Sequence, residues 1–155
     1  MNVDSHIARV LEQHAEYYDL LRRKLSDFGP PPSIPDVKIQ FAVSKAAGKY
    51  YPGKNICEYS IAYNILFPQH TSETIAHELV HAFAKKLQPT SKWHGDFFLF
   101  LMRNVAGFPN ATRFHKMSAA KVRPLGELLT LQYGVTGDLI RIEETHHSTA
   151  ARKAQ

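Results

Sequence analysis

The stretch His77-Glu78-Leu79-Val80-His81 constrains this 155-residue chain more than any other. It lies within Thr71 to Lys86, whose pattern predicts one α-helix. Thr71 or Ser72 is a candidate N-cap, Glu73 suits the first turn, Lys85 and Lys86 suit the last, and Pro89 stops it. In a helix, positions i and i+4 share a face, so His77 and His81 can reach one metal ion. Glu78 is turned about 100° round the axis from His77. There it lies beside the metal, where a carboxylate can act as base for an activated water. Ile75, Leu79, Ala82 and Phe83 face the opposite way and are candidate core residues. Two histidines exposed on an ordinary amphipathic helix would have the same spacing, and nine histidines in the chain make coincidence more frequent.

A catalytic zinc usually takes three protein ligands and keeps a fourth position open. A third histidine arriving directly after the motif would need glycine at 84 and histidine at 87, and these are Ala84 and Leu87. A downstream glutamate ligand is absent too, because no glutamate occurs between Glu78 and Glu127. Trp93-His94-Gly95 supplies a histidine after the loop Pro89-Thr90-Ser91, and Gly95 lets backbone approach closely. His94 is therefore the candidate third ligand. His115 competes with it, and serves equally well as a substrate contact or a surface residue.

The rest of the chain reads as a single α+β domain. Ile7, Val10, Leu11, Tyr18, Leu21, Leu25 and Phe28 recur at helical spacing, predicting an amphipathic helix over 3–28 that Gly29-Pro30-Pro31-Pro32 ends. Val37 to Ser44 alternates as a half-buried strand does. Ala47 to Tyr51 starts a second strand, Pro52 to Asn55 is a turn, and Ile56 to Leu66 is a candidate third. Tight connections between short strands predict an antiparallel meander of about three strands. A further helix is predicted from His94 or Gly95 to a stop at Gly107. Residues 128–133 and 139–143 pair as a candidate hairpin, and 145–155 reads as a flexible tail after a domain spanning 1–144.

Composition narrows the partners and the compartment. Cys57 is the only cysteine, so neither an internal disulfide nor a multi-cysteine zinc site can be built from one chain. No apolar run approaches the ~20 residues that span a bilayer, and the polar start lacks the layout of a signal peptide. A cytoplasmic protein without a membrane partner is the expectation. The net charge of +5 raises the odds of a polyanionic partner such as DNA. Lys85, Lys86 and Lys92 flank the motif, and Arg113, Lys116, Lys121 and Arg123 follow. Phe114 is a candidate for stacking on a base. A solvated charged surface is the plain alternative for any one of these residues.

His77-Glu78-Leu79-Val80-His81 followed by Trp93-His94-Gly95-Asp96-Phe97-Phe98 resembles the SprT-like family, which includes bacterial SprT and is related to eukaryotic Spartan. Ala47-Gly48-Lys49 and Tyr63-Asn64 resemble the family's strand region. Val105-Ala106-Gly107-Phe108-Pro109 and Arg113-Phe114-His115 resemble bacterial members. The likeness covers residues 35–117 and leaves 118–144 as a C-terminal extension. It implies a zincin-like metalloprotease domain holding one Zn2+ through His77, His81 and His94, with Glu78 as general base. It also implies action on DNA-associated or DNA-crosslinked proteins, as in the eukaryotic members. His115 and Tyr133 are candidate oxyanion or substrate contacts. Many members follow this domain with a four-cysteine zinc ribbon, which a chain with one cysteine cannot form. Two readings of other classes compete. One is a non-proteolytic, zinc-containing DNA-binding or adaptor module, and the other is a metal hydrolase of non-peptide bonds. Glu78 speaks against the adaptor, since a structural metal does not need that carboxylate.

Overall fold

A computed structural model describes residues 3–40, 47–113 and 143–146. The first helix, α1, runs Val3–Lys24 and continues into a short 3-10 turn, Ser26–Phe28, so the predicted single helix to residue 28 narrows in its last turn. Strand β1 is Asp36–Gln40, β2 is Gly48–Tyr51 and β3 is Ile56–Ser60. Helix α2 (Ile61–Leu66) and the 3-10 turn Pro68–His70 lead directly into α3, Thr71–Leu87. Helix α4 (Asp96–Phe100) passes into a π-helical turn, Leu101–Val105, and β4 is Glu143–His146.

The sheet order is β2-β3-β1-β4, and the sheet is mixed rather than an antiparallel meander. β2 and β3 form the expected antiparallel hairpin, but β3 then inserts beside β1 in parallel. Alternation along a strand shows which residues share a face and says nothing of strand direction. The parallel register puts Val37 beside Cys57 and Ile39 beside Tyr59, so four buried side chains line one face together. On the other face Lys38 Nζ lies 3.7 Å from Glu58 Oε1, and the Tyr51 hydroxyl donates to Glu58 Oε2 at 3.1 Å. β4 adds antiparallel to β1 through residues that include Thr145 and His146, two positions inside the segment read as tail. The candidate hairpin over 128–143 lies outside the described residues except at Glu143.

Two further expectations change. The third strand stops at Ser60, because Ser60 caps α2: its Oγ accepts the Tyr63 N–H at 3.5 Å, and Asn64 Nδ2 donates to its carbonyl at 2.7 Å. Neither Thr71 nor Ser72 caps α3. The helix already begins at Thr71 behind His70, and Ser72 Oγ instead donates to Gln13 Oε1 at 3.0 Å.

The core lies between the sheet and the helices. α3 is buried from Thr74 to Ala84, with Ile75, Leu79, Ala82 and Phe83 each at most 1% exposed. α1 packs Val10 and Leu21 into the same cluster, Leu25 joins them just past its end, and the Tyr18 ring lies 5.5 Å from that of Phe83. Burying each such aliphatic side chain stabilises the fold by about 1.5–3 kcal/mol. The motif helix is thus enclosed by α1, the sheet and α4, with the face that carries its histidines turned to a cleft. No helix among the described residues is long and apolar enough to cross a membrane.

Candidate metal centre

His77 and His81 project from α3 into a cleft of about 820 Å³ walled by β2, α2 and the turn around His94. His94 lies in the turn just before Gly95, the N-cap of α4. One nitrogen from each of the three imidazoles lies within 4.8 Å of the others. His94 Nε2 is 3.1 Å from His81 Nε2 and 3.3 Å from His77 Nε2. Three ring nitrogens converging on one point make poor mutual hydrogen bonds. Zinc–nitrogen bonds of about 2.0–2.1 Å place two vertices of a tetrahedron about 3.3 Å apart, so the observed spacings are those of a coordination triangle. The group can hold a metal ion.

Electrostatics favour the same use. Burial, then the neighbouring His77 and His94 rings, push His81 down to about 2, and burial lowers His94. Neutral imidazole is the form that ligates. The rings are also packed. Phe98 lies 4.7 Å from His77 and 4.6 Å from His81 between centroids, and the Trp93 indole stacks on His81 at 4.0 Å and 8°. Tyr50 stacks on Trp93 in turn at 6.2 Å.

Glu78 is buried beside the three histidines and lines the same cleft. Burial pushes its carboxyl up to about 8, while the Tyr50 backbone N–H, donating to it, pulls the other way. The hydrogen-bond parity of the hairpin explains that donor. Ala47 accepts from Ser60 N at 3.0 Å, so residues 47, 49 and 51 face β3, and Gly48 and Tyr50 turn their backbone groups to the open edge. Gly48 makes the approach possible. A Cβ there would lie 3.0 Å from Glu78 Cγ and 3.1 Å from Glu78 Oε2.

The sequence-derived residues divide cleanly. His77, Glu78, His81 and His94 come together. Lys85, Lys86 and Lys92 are exposed. The Arg113 guanidinium donates to the His94 carbonyl and to Asp96 Oδ1 at 3.0 Å. Phe114, His115, Lys116, Lys121, Arg123 and Tyr133 lie outside the described residues. No pattern in the sequence marks a role for Gly48, Tyr50, Asp96, or Trp93 as a ring stacked on a ligand. Gly48 and Trp93 were visible only as neighbours within motifs, because their functions depend on β2 lying against α3 and on the turn folding over His81.

No curated protein and no solved structure matches the chain. The model of the SprT-like family matches residues 11–116, beginning inside α1 and so taking in the helix that buries the back of α3. With a three-histidine metal group inside the matched region, the chain belongs to the SprT-like family.

Proposed function

We propose that the protein is a zinc-dependent metallopeptidase in which Glu78 is the general base. The observation that carries this reading is Glu78 itself, a carboxyl enclosed beside three converging imidazoles and lining the same cleft. A structural metal site gains nothing from such a group. A zinc ion held by His77, His81 and His94 would acidify a water and polarise the scissile carbonyl. Glu78 would serve as the base that accepts a proton from the attacking water at its carboxylate and hands it to the leaving amine. The Tyr50 N–H donates to this carboxyl and orients it. Phe98 and Trp93 keep the ligand rings in place and exclude water from behind them.

The substrate lies extended along β2. Among the described strands β2 is at the edge of the sheet, and its Gly48 turns backbone groups toward the cleft. Strand addition there satisfies the peptide backbone without demanding a particular sequence. Exposed Lys85, Lys86 and Lys92 support DNA-associated proteins as substrates, acted on in the cytoplasm.

The decisive comparison is wild type against Glu78→Gln, measuring zinc content and cleavage of a DNA-bound protein with and without single- or double-stranded DNA. The variant is expected to keep one zinc per chain and lose cleavage by at least about a thousandfold. Equal cleavage by both proteins would remove the base. Cleavage indifferent to DNA and to salt would remove the nucleic-acid part and leave the peptidase.

A further inference from the structure

We propose that Arg113 is a positioning residue that clamps the turn carrying the third ligand. This rests on the three-histidine reading above and adds a residue to it. His77 and His81 are held in mutual register by α3, a helix buried from Thr74 to Ala84. His94 has no such support. It stands in a turn ahead of α4, where its ring meets Phe98 edge-on at 5.2 Å between centroids and the Leu99 N–H reaches the carbonyl of the next residue, Gly95, at 3.1 Å. The backbone that carries its ring depends on what fixes residues 92–96.

Three things fix them. The Gly95 N–H closes the turn on the Lys92 carbonyl at 3.0 Å, an approach in which a Cβ at 95 would meet Lys92 Cβ at 2.8 Å. Trp93 lies flat on His81. Arg113 ties the ligand's backbone to the start of α4, donating through Nη1 to the His94 carbonyl and through Nη2 to the Asp96 carboxylate. The planar guanidinium presents donors in a fixed fork that can hold two acceptors at once. The clamp reaches His94 from 19 residues further along the chain, beyond the π turn, and Thr112 beside it lines the cleft. Asp96 is 99% exposed and the Arg113 side chain 44%, so their ion pair contributes little to global stability. The effect falls on ligand placement. It also gives Arg113 a task other than meeting phosphate.

The test compares wild type with Arg113→Ala, Arg113→Lys, Asp96→Asn and His94→Ala. Zinc affinity is measured by competition with a chromophoric chelator, the site by its visible spectrum with Co2+, and the fold by the melting temperature of the metal-free protein. Arg113→Ala is expected to weaken zinc binding by about 10–100-fold, the range for groups that orient a ligand. Its Co2+ spectrum should change, and the metal-free melting temperature should move by no more than a few degrees. Arg113→Lys and Asp96→Asn should fall between it and wild type, and His94→Ala should bind zinc more weakly than any of them. Unchanged affinity and spectrum in Arg113→Ala overturn the clamp. So does a collapse of the metal-free fold in both Arg113 variants, or a loss confined to DNA binding. Unchanged affinity in His94→Ala instead sinks the three-histidine reading beneath it.

Discussion

Single residues decide the chemistry here through how closely backbone can approach. Gly48 sits where β2 passes Glu78, and a side chain at that point presses on Glu78 and on Thr74 Cγ2 at 3.1 Å. Gly48→Ala should therefore shift the carboxylate by a few tenths of an ångström and lower kcat about tenfold, with zinc content unchanged. Zinc analysis beside steady-state kinetics checks both halves. A second residue, His14, sets part of the acid stability. Its Nε2 donates to the Pro35 carbonyl at 2.9 Å, and its Nδ1 accepts from the Tyr59 hydroxyl at 2.8 Å. Burial holds it down to about 4 from the usual 6.5. The unfolded chain thus binds a proton that the folded chain refuses between those values. Stability is complete above pH 6.5 and is lost as pH falls toward 4, by about 3 kcal/mol from this group. In metal-free protein, urea unfolding at pH 7 and pH 4 should show a loss larger in wild type than in His14→Gln by roughly that amount.

Among the elements, α3 carries the site and α1 gives it a floor. Leu21 is fully buried in the cluster shared by the two helices, and the aromatic contact of Tyr18 with Phe83 lies in the same seam. Leu21→Ala should cost about 2–5 kcal/mol by leaving a cavity beneath α3. Denaturant titration measures it, and a cost under about 1 kcal/mol would mean that α1 packs loosely. The family match starting at residue 11 agrees with this dependence, since the matched region includes the part of α1 that contacts α3. The short α2 does different work. Capped by Ser60, it turns the chain out of the sheet so that Tyr63 and Asn64 wall the cleft.

For the whole molecule, a metal ion would add a tie between the central helix and the turn that carries His94, beside the stacking of Trp93 and Phe98 on the α3 histidines. His77 and His81 belong to the central helix, while His94 belongs to the turn and, through Arg113, to the chain beyond the π turn. An ion binding the folded state alone at a hundred times its dissociation constant adds about 2.7 kcal/mol. Chelation should then lower the melting temperature by roughly 5–10 °C, and zinc should restore it, for a domain of this size. Differential scanning calorimetry with and without chelator checks this, and a melting temperature indifferent to chelation would contradict a metal shared between the two segments.

Periodicity and local spacing encode the motif and the elements around it. A 3.6-residue repeat puts His77 and His81 on one face and Glu78 beside them, and Trp93-His94-Gly95 stands out because the nearer ligand positions hold Ala84 and Leu87. The amphipathic first helix and the β2–β3 hairpin were legible for the same reason. The parallel pairing of β1 with β3 was not, because alternation has no direction and β3 is inserted between strands that precede it. Nor was the end of the third strand, where one serine hydroxyl outweighs an apolar run. The tertiary structure alone decided the surroundings of the motif: the Tyr50 N–H on Glu78, the bare backbone of Gly48 against the same carboxyl, and Arg113 across His94. Each joins residues 19–30 positions apart in the chain, and such contacts exist only once the sheet edge, the helix and the turn have packed together.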